Sequence, residues 1–285
     1  MSTLDFSGRK GKPVVVVGSL NMDLVMRTPR VPVGGETLHG HEFSTLPGGK
    51  GANQAVACAR LGAKVAMIGQ VGNDGFGTTL RDGLAADGID VNGVLQTSAV
   101  GTGVAMILVE DIGQNRIVLA AGANGALTPD DIDAQTALIG GAAMVVLQLE
   151  VPMPVVERAI AIAHSAGVPV LLNPGPAKPL AEALWSQIDI LIPNESELAT
   201  LTGLPTETEA QILTAARHLI GQGIGQVVVT LGGRGARLVT AEAVQGVARK
   251  YFVDERLTVA ELDPLPSAQD RKSTRLNSSH ANVSR

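Results

Sequence analysis

Uninterrupted apolar runs of strand length recur along the 285-residue chain and constrain its fold more than any other feature. Strands that alternate apolar and polar residues bury one face, whereas continuously apolar strands are buried on both faces. The pattern therefore predicts a sheet that other elements cover on both sides. The runs lie at residues 14–17, 65–68, 104–109, 117–120, 144–149, 168–172, 188–192 and 227–231.

Helix-length segments separate many of these runs and carry start and stop signals. Thr128 followed by Pro129 predicts a helix N-terminus with proline at the first helical position, and Gly167 and Gly203 predict helix ends. Alternating strands and helices are typical of βαβ units. The predicted fold class is α/β, with a mainly parallel central sheet and helices on both faces.

Two segments, residues 21–44 and 102–121, break this alternation because they contain paired short strands and turns with no helix between them. We expect them to form a small antiparallel β lid over the mouth of a ligand site. A lid would exclude water from a reaction beneath it. The alternative is an ordinary hairpin decoration.

Composition excludes several classes of protein. A hydrophobic content of 45% indicates a sizeable core, and a net charge of −5 argues against a nucleic-acid partner. No apolar run reaches the ~18 residues of a membrane span, and residues 1–13 lack the apolar stretch of a signal peptide. The single cysteine, Cys58, has no partner for an internal disulfide. We therefore expect a cytoplasmic enzyme-sized chain.

A glycine-rich loop, LPGGKGANQAVA at residues 46–57, opens directly onto a predicted helix. Its glycines permit positive φ and let backbone N–H groups approach a small polar ligand. Lys50 and Asn53 add a charge and an amide, and the positive end of the helix points to the same place. A tight strand-to-helix turn is the alternative. The phosphate-binding P-loop is excluded because Gly51, rather than Ser or Thr, follows Lys50.

Polar side chains follow several predicted strands, where open parallel sheets bind ligands. Asn21 and Asp23, at alternate positions, share one side, although local turn capping is an alternative for them. Glu150 ends an apolar run and is either solvated or functional. We interpret residues 173–176, NPGP, as a mainly structural turn.

Two further motifs carry open alternatives. Asn194 and Glu197 form either an N-cap with its capping box or a pair that orients water around Mg²⁺ on nucleotide phosphates. Residues 230–235, TLGGRG, form either a simple hairpin or a set of backbone donors beside a phosphate chain.

Six sequence blocks carry a resemblance to a known family. They are NMD at 21–23, GGKGAN at 48–53, AGAN at 121–124, QLE at 148–150, PNESE at 193–197 and TLGGRG at 230–235. Together, and in this order, they resemble the ribokinase-like (phosphofructokinase-B) family of sugar kinases, and GGKGANQA resembles its ribokinase members in particular.

The resemblance implies ATP-dependent phosphorylation of D-ribose at its primary 5-hydroxyl, giving ribose 5-phosphate. The residues that it implies for the sugar are Asn21, Met22, Asp23, Gly49, Lys50, Gly51, Ala52, Asn53 and Glu150. Those that it implies for ATP are Asn194, Thr230, Leu231, Gly232, Gly233, Arg234 and Gly235, with Mg²⁺ near Glu197 and Asn194 through water. It also implies a homodimer through the lid and activation by K⁺, whose expected ligands are absent from this chain. A deoxyribose, fructose or nucleoside kinase of the same superfamily is the alternative.

The family carries its catalytic base in a Gly-Ala-Gly-Asp-type motif, and this chain has none. Asp254, Asp263 and Asp270 all lack preceding glycines, so no catalytic residue is identified. We predict a ribokinase-like domain over residues 1–250 and a disordered or non-native tail over 251–285, attached to a C-terminally truncated reading frame. The chain as written is then either a very slow kinase or a non-catalytic sugar-binding remnant.

Overall fold

A computed structural model describes residues 7–241 and arranges their strands in two sheets. The strands are β1 (Val14–Val17), β2 (Asn21–Thr28), β3 (Glu42–Gly48), β4 (Val65–Gly72), β5 (Asp90–Thr97), β6 (Gly103–Glu110), β7 (Asn115–Ala120), β8 (Met144–Leu147), β9 (Val170–Leu172), β10 (Ile190–Leu191), β11 (Gln226–Thr230) and β12 (Ala236–Thr240). The helices are α1 (Lys50–Arg60), α2 (Gly75–Ala86), α3 (Pro129–Asp133), α4 (Thr136–Gly140), α5 (Met153–Ser165), α6 (Glu182–Trp185), α7 (Glu195–Thr202) and α8 (Glu209–Gly221).

The larger sheet has the strand order β12-β11-β10-β9-β8-β1-β4-β5. Every neighbouring pair is parallel except β11 and β12, which are antiparallel. The predicted mainly parallel sheet is therefore confirmed. The order reverses at β1, because the chain adds β4 and β5 on one side and β8 to β11 on the other. Ligands bind at such reversal points in open α/β sheets.

Strand β1 shows why its apolar run is continuous. Val15 and Val17 belong to the hydrophobic cluster on one face of the sheet, and Val16 belongs to the cluster on the other face. All three side chains are fully buried. Alternate residues of a strand point to opposite faces, so a strand covered on both sides has no position left for a polar side chain.

The smaller sheet, which we call the lid, has the strand order β3-β2-β6-β7. Its outer pairs are antiparallel, as predicted, but the central pair of β2 and β6 is parallel. Both central strands begin at the larger sheet, where Asn21 pairs with Gly103, and both run outward from it. Two strands that leave the same body in the same direction can pair only in parallel.

The prediction that the runs at 104–109 and 117–120 are buried on both faces is wrong. Both runs belong to the lid, and every residue of β7 is exposed. Strand β7 lies at the edge of a sheet, and no other element in residues 7–241 covers it. Apolar sequence alone does not distinguish a core strand from an exposed apolar edge.

Local signals at helix ends are confirmed where the structure describes them. Thr128 forms a capping box with Asp131 at the start of α3, and Gly203 ends α7 in the left-handed conformation with a φ of +68°. No helix in the described part of the chain is long and apolar enough to cross a membrane. The predicted tail at 251–285 lies outside the described residues, so the division near residue 250 stays a prediction.

Candidate active site

Loops at the carboxyl ends of the parallel strands lie along one edge of the larger sheet, from β1, where the strand order reverses, to β11. The segments that follow β1, β8, β10 and β11 carry the polar residues singled out in the sequence, and α1 begins at the same edge. The candidate site has a first half around α1 and β2 and a second half around α7 and β11. The geometry of each half follows from a few short contacts.

Gly49 and Gly51 bring the first turn of α1 against the link between β1 and β2. Gly49 is the N-cap residue of α1, with a φ of +92°. A Cβ on Gly49 would lie 2.8 Å from the backbone oxygen of Ser19. A Cβ on Gly51 would lie 2.6 Å from the backbone nitrogen of the same serine, Ser19. The sequence predicts that the missing side chains of these glycines leave room for a ligand. In the structure, the space beside each Cα is filled by backbone atoms of the link between β1 and β2. The positive end of α1 is thereby held at the end of β1.

Ser19 and Glu150 connect that helix start to the end of β8. The Ser19 hydroxyl donates to Glu150 Oε2 at 2.5 Å, and the backbone N–H of Lys50 donates to the same oxygen at 3.1 Å. The N–H of Gly51 donates to Ser19 Oγ at 3.3 Å. Glu150 is therefore a held carboxylate at the N-terminus of a helix, where negative charge is favourable. Ser19 is fully buried and is absent from the predicted site.

Asn21 and Asp23 lie in β2 at alternate positions, and their backbones pair with Gly48 and Leu46 of β3. The Asp23 carboxyl group lies over Gly48, in the space that a Cβ on that glycine would fill. Met22, between them, points to the other face and packs in the core, where it is 3% exposed. Of the NMD block, Asn21 and Asp23 thus face the candidate site and Met22 does not.

The two carboxyl groups of the first half act on one another. Burial raises the pKa of Asp23, and the negative charge of Glu150 raises that pKa further. Each carboxylate accepts hydrogen bonds only, so the pair offers several acceptor oxygens in a small volume. Hydroxyl groups of a small polyol are the natural donors for such a pair.

Lys50 reaches from the first half toward the second. Its Cε lies 3.2 Å from the point that a Cβ on Gly175 would occupy, and Glu197 Oε1 lies 2.6 Å from that same point. Asn173 Oδ1 is 3.2 Å from it. The turn at 173–176, interpreted from sequence as structural, is therefore where the lysine of the glycine loop meets the acid of α7.

Asn194 and Glu197 form the capping box of α7. Asn194 Oδ1 accepts from the Glu197 N–H at 2.8 Å, and Glu197 Oε2 accepts from the Asn194 N–H at 2.8 Å. Of the two predicted alternatives, the cap is present. It still leaves Glu197 Oε1 free of hydrogen bonds among the described residues, and that oxygen faces Gly175.

The TLGGRG segment joins β11 to β12 by a tight turn. Thr230 pairs with Asn194, and its N–H donates to the Pro193 oxygen at 2.9 Å. Gly232 and Gly235 have φ values of +58° and +82°, which favour glycine. Arg234 forms an ion pair with Glu195. The turn therefore lies beside the start of α7, as a shared ligand surface requires.

Residues 12–254 match the model of the pfkB family of carbohydrate kinases. The chain belongs to this family. The match spans both halves of the candidate site and most of the described residues, while the TLGGRG segment itself forms the hairpin turn between the antiparallel strands β11 and β12.

Within the pfkB family, the chain is similar to ribokinases and to a deoxyribokinase. The chain is 46% identical to a ribokinase from Schizosaccharomyces pombe over 78% of this chain and 73% of that protein. It is 43% identical to a bifunctional ribokinase/ribose-5-phosphate isomerase A from Fructilactobacillus sanfranciscensis over 81% of this chain, but it spans only 43% of that protein. A deoxyribokinase from Salmonella typhi is 40% identical over 80% of this chain and 75% of its own length.

A solved structure agrees with the fold. The ribokinase of Arabidopsis thaliana, in complex with ribose and ATP, is similar over 81% of this chain and 75% of its own chain, with 36% identity and a TM-score of 0.76. The α/β architecture with a lid is thus that of the ribokinase members of the pfkB family.

Sequence reasoning missed two polar residues that this pfkB-family site contains. Ser19 lies two positions after the predicted strand at 14–17 and two positions before Asn21 of the NMD block, yet it belongs to no motif of its own. Asn124 ends the AGAN block, from which the sequence predicts no contact, and its Nδ2 donates to Asn21 Oδ1 at 2.8 Å. The sequence did not indicate these roles, because Ser19 bonds to Glu150 and Asn124 bonds to Asn21, each more than a hundred residues away in the chain.

Proposed function

We propose that this chain recognises D-ribose and ATP, and that the reaction it serves is transfer of the γ-phosphoryl group to the primary 5-hydroxyl of the sugar. The oxygen of that hydroxyl would attack the γ-phosphorus, the bond to the β–γ bridging oxygen would break, and ADP and ribose 5-phosphate would leave. The observation that carries the proposal is the convergence of the Asp23 and Glu150 carboxyl groups at the N-terminus of α1.

The sugar half would use side chains and backbone in different ways. Asp23 and Glu150 would accept hydrogen bonds from hydroxyl groups, and Asn21 would add an amide. Met22 and Ala52 have buried side chains, and the Ala52 N–H already donates to the Ser19 oxygen at 3.0 Å, so both residues would support the site by packing. The remaining proposed sugar residues are Gly49, Lys50, Gly51 and Asn53.

The nucleotide half would hold ATP between α7 and the turn after β11. The residues proposed for it are Asn194, Thr230, Leu231, Gly232, Gly233, Arg234 and Gly235. Glu197 Oε1 has no hydrogen bond among residues 7–241, which suits an oxygen that contacts a water of a Mg²⁺ shell. When bound, Mg²⁺ neutralises charge on the transferring phosphoryl group. Lys50 would stand between the halves, near that charge.

No residue among 7–241 is proposed as the base that removes the proton from the 5-hydroxyl. Asp254, Asp263 and Asp270 lie outside the described residues, and the family's glycine-rich base motif is absent from the sequence. We therefore propose very low turnover for these 285 residues, together with retained ribose binding. K⁺ activation and a cytoplasmic location stay proposals that rest on the family resemblance.

A coupled ATP-consumption assay and calorimetry on the same preparation test this function. Ribose, 2-deoxyribose, fructose and a nucleoside form the substrate panel. We expect ribose to bind most tightly and turnover to be very low. Ordinary turnover with ribose would refute the missing-base proposal and leave the substrate proposal intact, whereas a failure of all four sugars to bind would refute the substrate proposal.

Deoxyribose is the second candidate, because the similarity to a deoxyribokinase is nearly as high as that to ribokinases. The two sugars differ by one hydroxyl group. A site built to bond that hydroxyl rejects the sugar that lacks it, since its polar partners are then left unpaired. Tighter binding of 2-deoxyribose than of ribose would favour this candidate. Ribose binding with no detectable phosphate transfer to any sugar would favour the binding remnant.

We also propose a homodimer that forms through the lid. Strand β7 and its neighbour β6 expose apolar side chains, among them Met106, Ile117 and Val118. An exposed apolar edge strand in a soluble chain is a docking surface or an aggregation hazard.

A further inference from the structure

A buried amide cluster joins the base of the lid to the end of β1. Asn124 lies in the turn after β7 and is 1% exposed, and Asn21 begins β2 and is 3% exposed. Asn124 Oδ1 accepts from the Leu20 N–H at 2.8 Å. Its Nδ2 donates to the Leu20 oxygen at 3.0 Å and to Asn21 Oδ1 at 2.8 Å. Both N–H groups of this amide are therefore used.

The backbone of Leu20 fixes the orientation of both side-chain amides. A peptide N–H can only donate and a peptide oxygen can only accept. Asn124 must therefore turn its Oδ1 to the Leu20 N–H and its Nδ2 to the Leu20 oxygen. Its second N–H then points at the Asn21 side chain, in which only Oδ1 can accept a hydrogen bond. The usual ambiguity between amide oxygen and nitrogen is removed, because backbone atoms set the whole chain of contacts.

Asn21 is consequently left with its donor unused. Its Oδ1 is taken by Asn124, and no residue in the described 7–241 accepts a hydrogen bond from its Nδ2. Gly103 makes room for the pair, since a Cβ there would collide with Asn124 Nδ2 and Asn21 Oδ1. This donor is not sealed from solvent, so water can accept from it in the ligand-free chain and a ligand oxygen can take the place of that water.

We propose that Asn124 is a positioning residue that holds Asn21 with Nδ2, and not Oδ1, toward the ligand. The inference rests on the proposed sugar site. Asp23 and Glu150 accept hydrogen bonds only, so Asn21 adds a neutral donor beside them. This combination selects a sugar that places an acceptor oxygen, either a ring oxygen or a hydroxyl whose own proton goes to a carboxylate, opposite Asn21.

Side-chain amide hydrogen exchange in the ligand-free 285-residue chain tests the orientation itself. In the unmodified protein we expect the Asn124 NH₂ protons to exchange slowly and the Asn21 NH₂ protons to exchange fast. In Asn124→Asp, an acceptor replaces the donor, so the Asn21 amide turns and its protons become protected. Asn21→Ala identifies its resonance. Protected Asn21 protons in the unmodified protein, or no change in Asn124→Asp, would overturn the proposal.

Ribose calorimetry tests the consequence in a double-mutant cycle. Asn124→Asp should weaken ribose at least about tenfold when Asn21 is present, because a presented donor is lost, and should have no further effect in Asn21→Ala. A purely structural role would weaken ribose equally in both backgrounds and would overturn the proposal. Asn92→Asp, at an exposed position in β5, matches the charge change and should leave ribose binding unaltered.

Two safeguards keep the outcomes separate. If Asn124→Asp does not fold, Asn124→Ala removes the same donor without adding charge, and the same dependence on Asn21 is expected. If the unmodified chain binds no ribose, the proposed sugar fails while the amide exchange still decides the orientation, because that measurement needs no ligand.

Discussion

The role proposed for Asp23 in sugar binding and the stability of the fold make opposite demands on its carboxyl group. Burial and the charge of Glu150 raise the pKa of Asp23 in the folded chain. The folded state therefore holds the proton more tightly than the unfolded state. The free energy of unfolding consequently falls as pH rises from the ordinary pKa of aspartate through the raised value. Above that range, the ionised carboxylate destabilises the fold, although this is the form that the proposed sugar site needs as an acceptor.

Asp23→Asn should weaken ribose binding and stabilise the protein at the same time. We expect ribose affinity to fall by about 10-fold to 100-fold, the loss of one charged hydrogen bond. We expect Tm to rise at neutral pH and to differ less from that of the unmodified chain at acidic pH, where Asp23 is protonated. Calorimetry and thermal melts across pH measure both effects.

Asp82→Asn is the matched control for this substitution, because Asp82 is exposed on α2 and lies away from the site. It should change neither ribose affinity nor the pH dependence of Tm. Unchanged ribose affinity in Asp23→Asn would remove Asp23 from the sugar site. A lower Tm at neutral pH would show that Asp23 is stabilised by its surroundings, contrary to the direction of its pKa.

At the scale of elements, two helices start with the same local device and differ in what surrounds it. Asn194 and Glu197 form the capping box of α7, and Thr208 and Gln211 form that of α8. Each box satisfies N–H groups that have no partner within the helix. Asn194 of the α7 box pairs with Thr230 at the end of β11, whereas in residues 7–241 the side chains of Thr208 and Gln211 bond only within their own box. Comparison of the two helices can therefore separate the structural role of a cap from the ligand role proposed for Asn194.

Asn194→Ala and Thr208→Ala should have similar effects on stability and different effects on nucleotide binding. Removal of either cap should lower the free energy of unfolding by about 1 kcal/mol. Asn194→Ala should in addition weaken ATP by several-fold, while Thr208→Ala should leave ATP affinity unchanged. Denaturant unfolding and ATP calorimetry with Mg²⁺ make the comparison. Equal ATP affinity in the two variants would reduce Asn194 to a helix cap.

At the scale of the whole molecule, the lid is a sheet whose edge strand β7 is not covered by any other element among residues 7–241. Ile117, Val118 and Leu119 are 57%, 71% and 45% exposed, and they follow one another along the edge strand β7. Single exposed apolar residues are common, but three in sequence on an edge strand invite pairing with another strand. A second lid would cover this edge in a two-fold arrangement in which the same residues meet.

Val118→Glu should convert a dimer to a monomer if the lid is the interface. A charge at that position would be buried twice in a two-fold interface and would be repelled by its own copy. Light scattering after size exclusion gives the mass, with Leu61→Glu as control, because Leu61 is 88% exposed just after α1 and outside the lid. A dimer that persists in Val118→Glu, or one that is lost in Leu61→Glu, would contradict the proposed interface.

The sequence by itself determined the features whose causes are local or periodic. Continuous apolar runs predicted the covered strands because each position of a strand reports its own burial, and Thr128 predicted a helix start because a cap acts within three residues. The order of six motif blocks predicted the family, which the match over residues 12–254 confirms. The assignments of individual site residues to sugar or nucleotide remain predictions.

Only the tertiary structure decided which groups meet across the chain. It showed that β7 is exposed although its sequence is apolar, that Ser19 donates a hydrogen bond to Glu150, and that Asn124 donates one to Asn21. Each of these contacts joins residues more than 100 positions apart, or depends on whether another element covers a strand. Periodicity and motifs predict local features, such as the buried face of a strand or the cap of a helix, because these depend on nearby residues in sequence. The choice of a distant partner is made by the packing of sheets and loops, which no local pattern contains.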